Sequence, residues 1–499
     1  MNAWSSPGLT PTPAPTRRAW WRTLAILLLV AIAARARTFG NPIIQVDEEF
    51  YLLMARAMWR GALPYVDIWD RKPIGLFLVY MPAAPWSPQT GVYVYQAMAL
   101  AAVVATAAPI VRLARIAGWS RGALMAGVLY ILWIDLADGQ GGQSPVFYNA
   151  LMAGAVALVA GAVPERRRRA GVLAMALVGC ALQVKYSALF EGVWIGLWLM
   201  WDEHRVTRSI GRAIGYGAVL CTVALVPTML AAGTYVAIGQ GQAFVYANFL
   251  SILQRHADAP AVRLDNAIVA LALLGPLLLL ALAGIGAPRG DAQQRSVRGF
   301  LRGWLAVAVF GLVVFGGWYN HYTLPVMLPA TLCTAAFFGD RRIGRWLAIP
   351  AMVAGFVGGQ LVVASALHHR GSPAEFAAVV RAIGPGPGSL YVDIGDPALY
   401  TFTGRHALSR YLFPSHLQIA REAGAIGVDQ AAEVDRIFAR RPEVVVLQGP
   451  ETDEMPERAV QVAGLVARGG YARPVRLPLG RLWADVYHLK TRSPSPAGR

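Results

Sequence analysis

Charge is what this sequence has least of. Asp, Glu, Lys and Arg make up 15% of its 499 residues, where an ordinary soluble chain carries about 25%, so much of the surface must face something other than water. Cysteine is scarce as well. Cys180, Cys221 and Cys333 lie far apart inside apolar runs, which excludes a disulfide framework and a cysteine metal site and leaves them as buried small hydrophobes. There is no P-loop lysine motif, no GxGxxG after a strand and no HExxH, so neither a nucleotide cofactor nor zincin chemistry is indicated.

What fills the chain instead is apolar: 56% of the residues are hydrophobic. Runs long enough to cross a bilayer recur, and they lack the alternation of a barrel strand, so each reads as a helix that satisfies its own backbone. The 45 Lys and Arg outnumber the 28 Asp and Glu. Nucleic acid is not the reason, because the arginines form no continuous groove. They sit in short loops: Arg17, Arg18 and Arg22; Arg112, Arg115 and Arg121; "ERRRR" at Glu165–Arg169; Arg205, Arg208 and Arg212; Arg289, Arg295, Arg298 and Arg302; Arg341, Arg342 and Arg345. Counting helices from a cytoplasmic N-terminus puts every cluster on one side, as the positive-inside rule requires, and gives about eleven spans. "TLAILLLVAIAARA" reads as an uncleaved signal anchor rather than a removed leader.

The expected organisation has three parts. Residues 1–16, rich in Pro, Thr and Ser, form a disordered cytoplasmic N-terminus. Residues 17–367 form an α-helical polytopic membrane domain with spans at about 91–113, 121–138, 147–163, 170–185, 187–201, 212–232, 266–286, 300–317, 321–338 and 345–367 after the first. Its first outer loop, 38–90, includes "PIGLFLVYMPAAPW" as a re-entrant or interfacial helix. Residues 368–499 form a small outer-face α/β domain, in which "SLYVDIG", "EVVVLQG" and "WADVYHLK" read as strands and "PAEFAAVVRAIG" and "AAEVDRIFARR" as helices. Gly211/Gly215 and Gly355/Gly359 have the spacing of helix-packing pairs. A long loop is expected over Gly233–Asp265.

The polar residues collect on the outer face. "VDEEFYLLMARAMW" puts Asp47, Glu48 and Glu49 just outside the first helix, with Tyr51 one turn on from Asp47. An acid before a helix can serve as a cap, and Glu49 reads that way. Asp47 and Glu48 are catalytic candidates because "WDRKPIGLF" brings a second charged cluster, Asp70, Arg71 and Lys72, back to the same loop. Lysine and arginine at a helix end can simply snorkel, yet here they lie against the positive-inside bias, as an anionic ligand at the interface would explain. Lys185, in "LQVKYSALF", is either an ordinary turn residue or a lysine facing a cavity. "GGWYNHYTLP" adds Tyr319, His321 and Tyr322, either an aromatic belt or sugar and acceptor contacts. Arg255 and His256 are weaker candidates in the long loop. Together these are carboxylates, cations for a phosphate and aromatics for a sugar.

A hydrophobic helix followed by "DE" and a tyrosine, then "GxxPYxDxWDRKP" over Gly61–Pro73, resembles the first outer loop of the GT-C integral-membrane glycosyltransferases. The likeness is to the protein O-mannosyltransferase and lipid A aminoarabinose transferase branch. "VKYSAL" after the fifth span and "NHYTLPVMLP" extend it. The resemblance implies a sugar on a polyprenyl phosphate as donor, membrane lipid around it, and a protein, glycolipid or polysaccharide acceptor, at the outer face of a bacterial plasma membrane. Asp47 then matches the catalytic base. Lys72, Arg71, Lys185 and Arg255 would hold the phosphate, and Tyr51, Asp70, Tyr319, His321 and Tyr322 the sugar or acceptor. Relatives often carry a second acid in the next outer loop, where "DGQGGQSPVFYN" offers Gln143, Ser144 and Asn149. Asp135 or Asp138 would have to substitute, so no obligatory metal is expected, a hard cation needing several carboxylate oxygens. A transporter or flippase of lipid-linked saccharides is the other reading, and would want polar groups near the bilayer midplane.

Overall fold

The structure is a computed structural model that describes residues 16–286, 290–340, 342–449 and 455–490. The tail expected to be disordered, Arg289 and Arg341 lie outside the described residues, apart from Thr16, whose hydroxyl accepts from the Ala19 amide and caps the first helix.

The membrane part is built from α1 (Arg17–Arg35), α2 (Val46–Trp59), α3 (Ile74–Tyr80), α4 (Pro88–Ile116), α5 (Ala123–Trp133), α6 (Ser144–Ala160), α7 (Arg167–Leu182), α8 (Ala188–Thr207), α9 (Ile210–Ala237), α10 (Gly241–Val245), α11 (Pro260–Ala283), α12 (Ala292–Phe315), α13 (Leu324–Asp340) and α14 (Arg342–Arg370). Each expected span falls on one helix, and five of the described helices are long and apolar enough to cross a membrane by length and composition alone. The short helix α3, continued by a 3₁₀ turn at Met81–Ala83, occupies the segment expected to be re-entrant or interfacial.

Small residues set the packing, since apolar helices in lipid associate by close approach of their backbones. A Cβ on Gly179 would run into the carbonyl of Ala224, joining α7 to α9, and one on Gly122 into Ala335, joining α5 to α13. Helix α13 is buried on every face along most of its length, as expected of a helix apolar all round. Gly355 and Gly359 pack against Leu132, Trp133 and Asp135, whereas Gly211 and Gly215 meet no other helix; that pair is not a packing motif. Of the cysteines only Cys333 is buried. Cys180 and Cys221 are exposed on the helix bundle, because an apolar residue in a membrane helix serves lipid as well as core.

Loops converge at the two ends of the bundle. At one end Arg298 Nε donates to the Ala117 carbonyl, and Arg167 and Arg168 pair with Glu203. At the other, the 36–45, 238–259 and 316–323 segments meet the C-terminal part, and the 138–143 turn reaches the 36–45 and 46–59 segments. There Arg35 pairs with Asp135 at 3.1 Å, both buried. The expected long loop is largely helical, with α9 reaching Ala237, then α10, a π turn at Tyr246–Leu250 and a 3₁₀ turn at Ser251–Gln254.

The C-terminal part contains α15 (Pro373–Ile383), β1 (Ser389–Val392), α16 (Ala398–Thr403), β2 (His406–Ala407), α17 (Pro414–Gln418), α18 (Gln430–Ala439), β3 (Val444–Gly449), α19 (Pro456–Arg468), β4 (Val475–Leu479) and β5 (Leu482–His488). The sheet order is β2-β1-β3-β5-β4; β1 lies parallel to β2 and β3, and β5 antiparallel to β3 and β4. A reciprocal Ser372–Glu375 capping box starts α15, fixing where the last long helix hands over to this domain. Docking onto the 38–90 segment is polar and aromatic: the Trp69 amide donates to the Arg410 carbonyl, and the Phe50 and Phe413 rings meet edge-on at 5.4 Å.

Candidate active site

The charged loop Gly61–Pro73 holds its shape through its own side chains. Asp67 Oδ2 accepts from the Leu63 amide at 2.6 Å, closing a turn. Tyr65 sits at φ 69°, a left-handed conformation rare for a bulky residue, and its hydroxyl donates to the Lys72 carbonyl at 2.9 Å. Trp69 is buried against Tyr411 and His416. The Pro-Tyr, Asp and Trp of the motif therefore shape the loop, and the shape delivers Lys72.

Lys72 Nζ lies 3.0 Å from Asp47 Oδ1 and 3.6 Å from Asp70 Oδ2, and 4.9 Å from the Tyr51 and Phe413 ring centroids. Asp47 stands in the first turn of α2, but the N-cap residue is Gln45, so Asp47 is not a cap. Tyr51 donates to its Oδ1 at 3.3 Å and Gln143 to its Oδ2 at 3.0 Å. Gln143 thus stands where a second acid was sought. Burial works most strongly against the Asp47 carboxylate, yet Lys72, His321 and Gln143 together outweigh it and hold the group below the usual carboxylate range. Burial likewise opposes the Lys72 ammonium, and Asp47 and Asp70 more than reverse it.

Around this pair stand the residues from the later loops. Lys185 Nζ is 4.6 Å from the Tyr322 ring centroid. Burial brings its ammonium down to about 7, against the pull of Asp47. His321 is pushed down to about 3 by burial and by Lys185, so it is neutral. Lys185, Tyr148, Ser187 and Tyr322 line a small cavity of about 30 Å³ that continues toward Glu191 and Phe315.

A second charged group was not foreseen. Glu422, in the C-terminal domain, accepts a two-pronged contact from Arg71, at 3.0 and 2.5 Å, and pairs with Arg255 Nε at 2.9 Å. Burial would raise its pKa, but Arg71 and Arg255 bring it to about 2. Arg255 also reaches the Tyr322 hydroxyl. Two cations share one acid, leaving one net positive charge beside Lys72 and Lys185.

Several candidates occupy places other than those expected. Asp70 is buried: its Oδ1 accepts from the Arg71 amide at 2.6 Å and its Oδ2 backs Lys72, so it positions the lysine. Tyr319 donates to Asp258 Oδ2 at 2.8 Å and carries Arg421 over its ring, tying the 238–259 segment to the C-terminal domain. Glu48 turns away from Lys72 to the Gly141–Gly142 turn, where burial raises its pKa to about 8. Glu49 is not a solvated cap. It is buried, pairs with Arg370 at 2.8 Å and accepts from the Ala398 amide at 3.2 Å. Asp135 is taken by Arg35, while Asp138 accepts from Gln45 at 3.3 Å and stays near Asp47. His256 donates its amide to the Arg421 carbonyl, again a loop contact. Among the described residues no three His, Cys, Asp or Glu side chains gather as a metal-ligand group. Phe413, Glu422 and Gln143 carried no motif of their own.

This arrangement, a helical bundle whose loops at one end meet a small α/β domain, shares its fold with solved structures of ArnT and of an archaeal oligosaccharyltransferase. The chain is similar to ArnT from Cupriavidus metallidurans bound to undecaprenyl phosphate, with a TM-score of 0.64 and 14% identity over 95% of this chain and 98% of that one. It also resembles the Archaeoglobus fulgidus oligosaccharyltransferase in the apo form, with a TM-score of 0.52 and 11% identity over 92% of this chain and 73% of that one. The same organism's AglB, in complex with an inhibitory peptide and a dolichol-phosphate, matches with a TM-score of 0.51 and 12% identity over 90% and 71%. No family model matches the sequence, and no curated protein matches it.

Proposed function

We propose that the protein is an inverting glycosyltransferase that moves a sugar from a polyprenyl phosphate to an envelope acceptor at the outer face of a bacterial plasma membrane. The observation that carries this reading is the Asp47–Lys72 pair, set against Lys185 and the Arg71–Glu422–Arg255 group, with Gln143 fixing the far carboxylate oxygen. One carboxylate and an excess of cations at a membrane interface suit a hydroxyl that must lose a proton and a phosphate that must leave with two electrons. The likeness to a fold seen bound to undecaprenyl phosphate supports the donor class.

In this mechanism an acceptor hydroxyl lies against Asp47 and its oxygen attacks the anomeric carbon opposite the phosphate. The carbon–oxygen bond to the phosphate breaks, its electron pair goes to the phosphate, and the proton goes to Asp47. Lys72, Lys185 and Arg255 hold the charge that builds on the leaving group, the kind of preset electrostatics that usually supplies the largest share of catalysis. A carboxylate paired with Lys72 is a weak base. A donor phosphate would compete for that ammonium, so Asp47 becomes more basic as the sugar turns cationic. Neutral His321 and Tyr322 are placed to hydrogen-bond the sugar. Residues 368–499 would help choose the acceptor, and no obligatory metal is needed where ammonium and guanidinium groups face the phosphate.

The test is incubation of the protein in lipid nanodiscs with a panel of polyprenyl-phosphate sugars and an envelope extract, followed by mass spectrometry and the anomeric configuration of the product. Acceptor-dependent release of polyprenyl phosphate with inverted configuration is expected. Binding of donor without release from any member of the panel would instead favour a transporter.

A further inference from the structure

The arginine-rich end of the bundle carries a feature that the transfer reaction does not use. Helices α7 and α9 press together at Gly179 and Ala224, and at Gly171, where the absent side chain leaves room for Tyr216. The Tyr216 hydroxyl donates to the Arg168 carbonyl at 3.2 Å. Alongside that seam a Cβ on Gly215 would meet nothing within 4 Å. The result is a groove of about 650 Å³, walled by Val172, Leu173 and Val219 and rimmed by Arg168, Arg169 and Arg212. That volume falls within the ≈ 300–1,000 Å³ typical of ligand pockets.

The charge at the rim is not balanced. Arg168 shares Glu203 with Arg167, which also pairs with Asp202. Among the described residues, Arg169 and Arg212 make no ion pair. The loops from Glu165 to Arg212 set seven arginines, Arg166, Arg167, Arg168, Arg169, Arg205, Arg208 and Arg212, against the three acids Glu165, Asp202 and Glu203. Cations at the mouth of an apolar cleft between two membrane helices match a phosphodiester with an acyl chain below it. A free phosphate would use the rim and leave the apolar wall without purpose.

We propose that this groove binds an anionic glycerophospholipid of the leaflet at the arginine-rich end, its phosphate between Arg169 and Arg212 and one acyl chain along Gly215 and Val219. The site lies at the end of the bundle opposite Asp47 and stands or falls independently of the transfer reaction.

The experiment is native mass spectrometry of the full-length protein in detergent, titrated with phosphatidylglycerol or with phosphatidylcholine of identical chains. One phosphatidylglycerol should bind in preference. Arg169→Ala with Arg212→Ala should weaken that binding on the order of tenfold or more, from two lost lipid-facing cations. Gly215→Leu, which fills the open wall without altering charge and whose Cβ meets nothing within 4 Å, should weaken it comparably while phosphatidylcholine binding and the thermal midpoint stay as they were. Equal binding of the two lipids overturns the proposal. So does a Gly215→Leu variant that binds as well as wild type, since arginines attracting lipid loosely would not notice the groove.

Discussion

Each end of the bundle is organised by one buried acid between two arginines, and the two groups differ in how far apart in the chain their members lie and in how exposed one arginine is. At the arginine-rich end Glu203 holds Arg167 and Arg168, 36 and 35 residues away, and Arg168 remains 58% exposed. At the opposite end Glu422 holds Arg71, 351 residues away, together with Arg255; the arginines are 16% and 21% exposed. The same chemistry ties two successive helices together in one case and draws three distant segments together in the other. Exposed pairs contribute little. A buried pair that loses one partner leaves a charge stranded. The Glu422 group, with neither arginine more than 21% exposed, therefore carries more structural weight than the Glu203 group, where Arg168 is 58% exposed, and it does so beside Asp47.

The largest effect expected is at the carboxylate itself. Asp47→Asn should lower transfer by about 10²- to 10⁴-fold, measured as release of polyprenyl phosphate, with the thermal midpoint near that of wild type. Breaking the comparison directly takes two neutralisations. Glu422→Gln strands Arg71 and Arg255 and should destabilise by about 3 kcal/mol, the lower end of the range for a broken buried pair because the arginines keep some solvent; Glu203→Gln should shift the midpoint far less and leave transfer intact. Equal shifts in thermal unfolding would erase the distinction. The pH dependence has a matching sign. Glu422 is held down at about 2 against an ordinary 4.5, so its contribution is present above about pH 4.5 and is lost as pH falls toward 2.

Much of this was legible where the signal was local. The helix positions follow from hydropathy, and the Gly61–Pro73 loop is closed by local contacts from Asp67 and Tyr65, although Trp69 packs on the C-terminal domain. Asp47 and Lys72, 25 residues apart, are found together because both charged clusters fall in the same 38–90 segment. What stayed hidden depends on distant contacts or on rotation about a helix. Asp47, Glu48 and Glu49 are consecutive acids, but one faces Lys72, one a glycine turn and one Arg370, and nothing in the spacing selects among them. Glu422 and Phe413 come from a different domain, on short elements without periodicity. Strand β4, "VRLPL", is mostly exposed and contains a proline, and β2 is two residues long, so neither announces itself.

A smaller effect sharpens the role of Lys185. Its ammonium titrates near 7, so it is charged below that pH and neutral above. Donor binding should tighten as pH falls through about 7 and weaken as it rises. Lys185→Arg should flatten that limb in a plot of KM against pH, and an unchanged limb would assign it to another group. The smallest expected change is none: treatment with EDTA should leave transfer at its starting rate, and loss restored by a divalent cation would put a metal at the phosphate.

The most direct test of the central claim separates holding the donor from using it. Donor binding and single-turnover release of polyprenyl phosphate are measured together in nanodiscs for wild type and Asp47→Asn. Binding that is retained with release abolished is the predicted result. Asp47→Asn that releases at the wild-type rate would contradict the account and leave Asp47 as no more than the counter-ion that holds Lys72 in place.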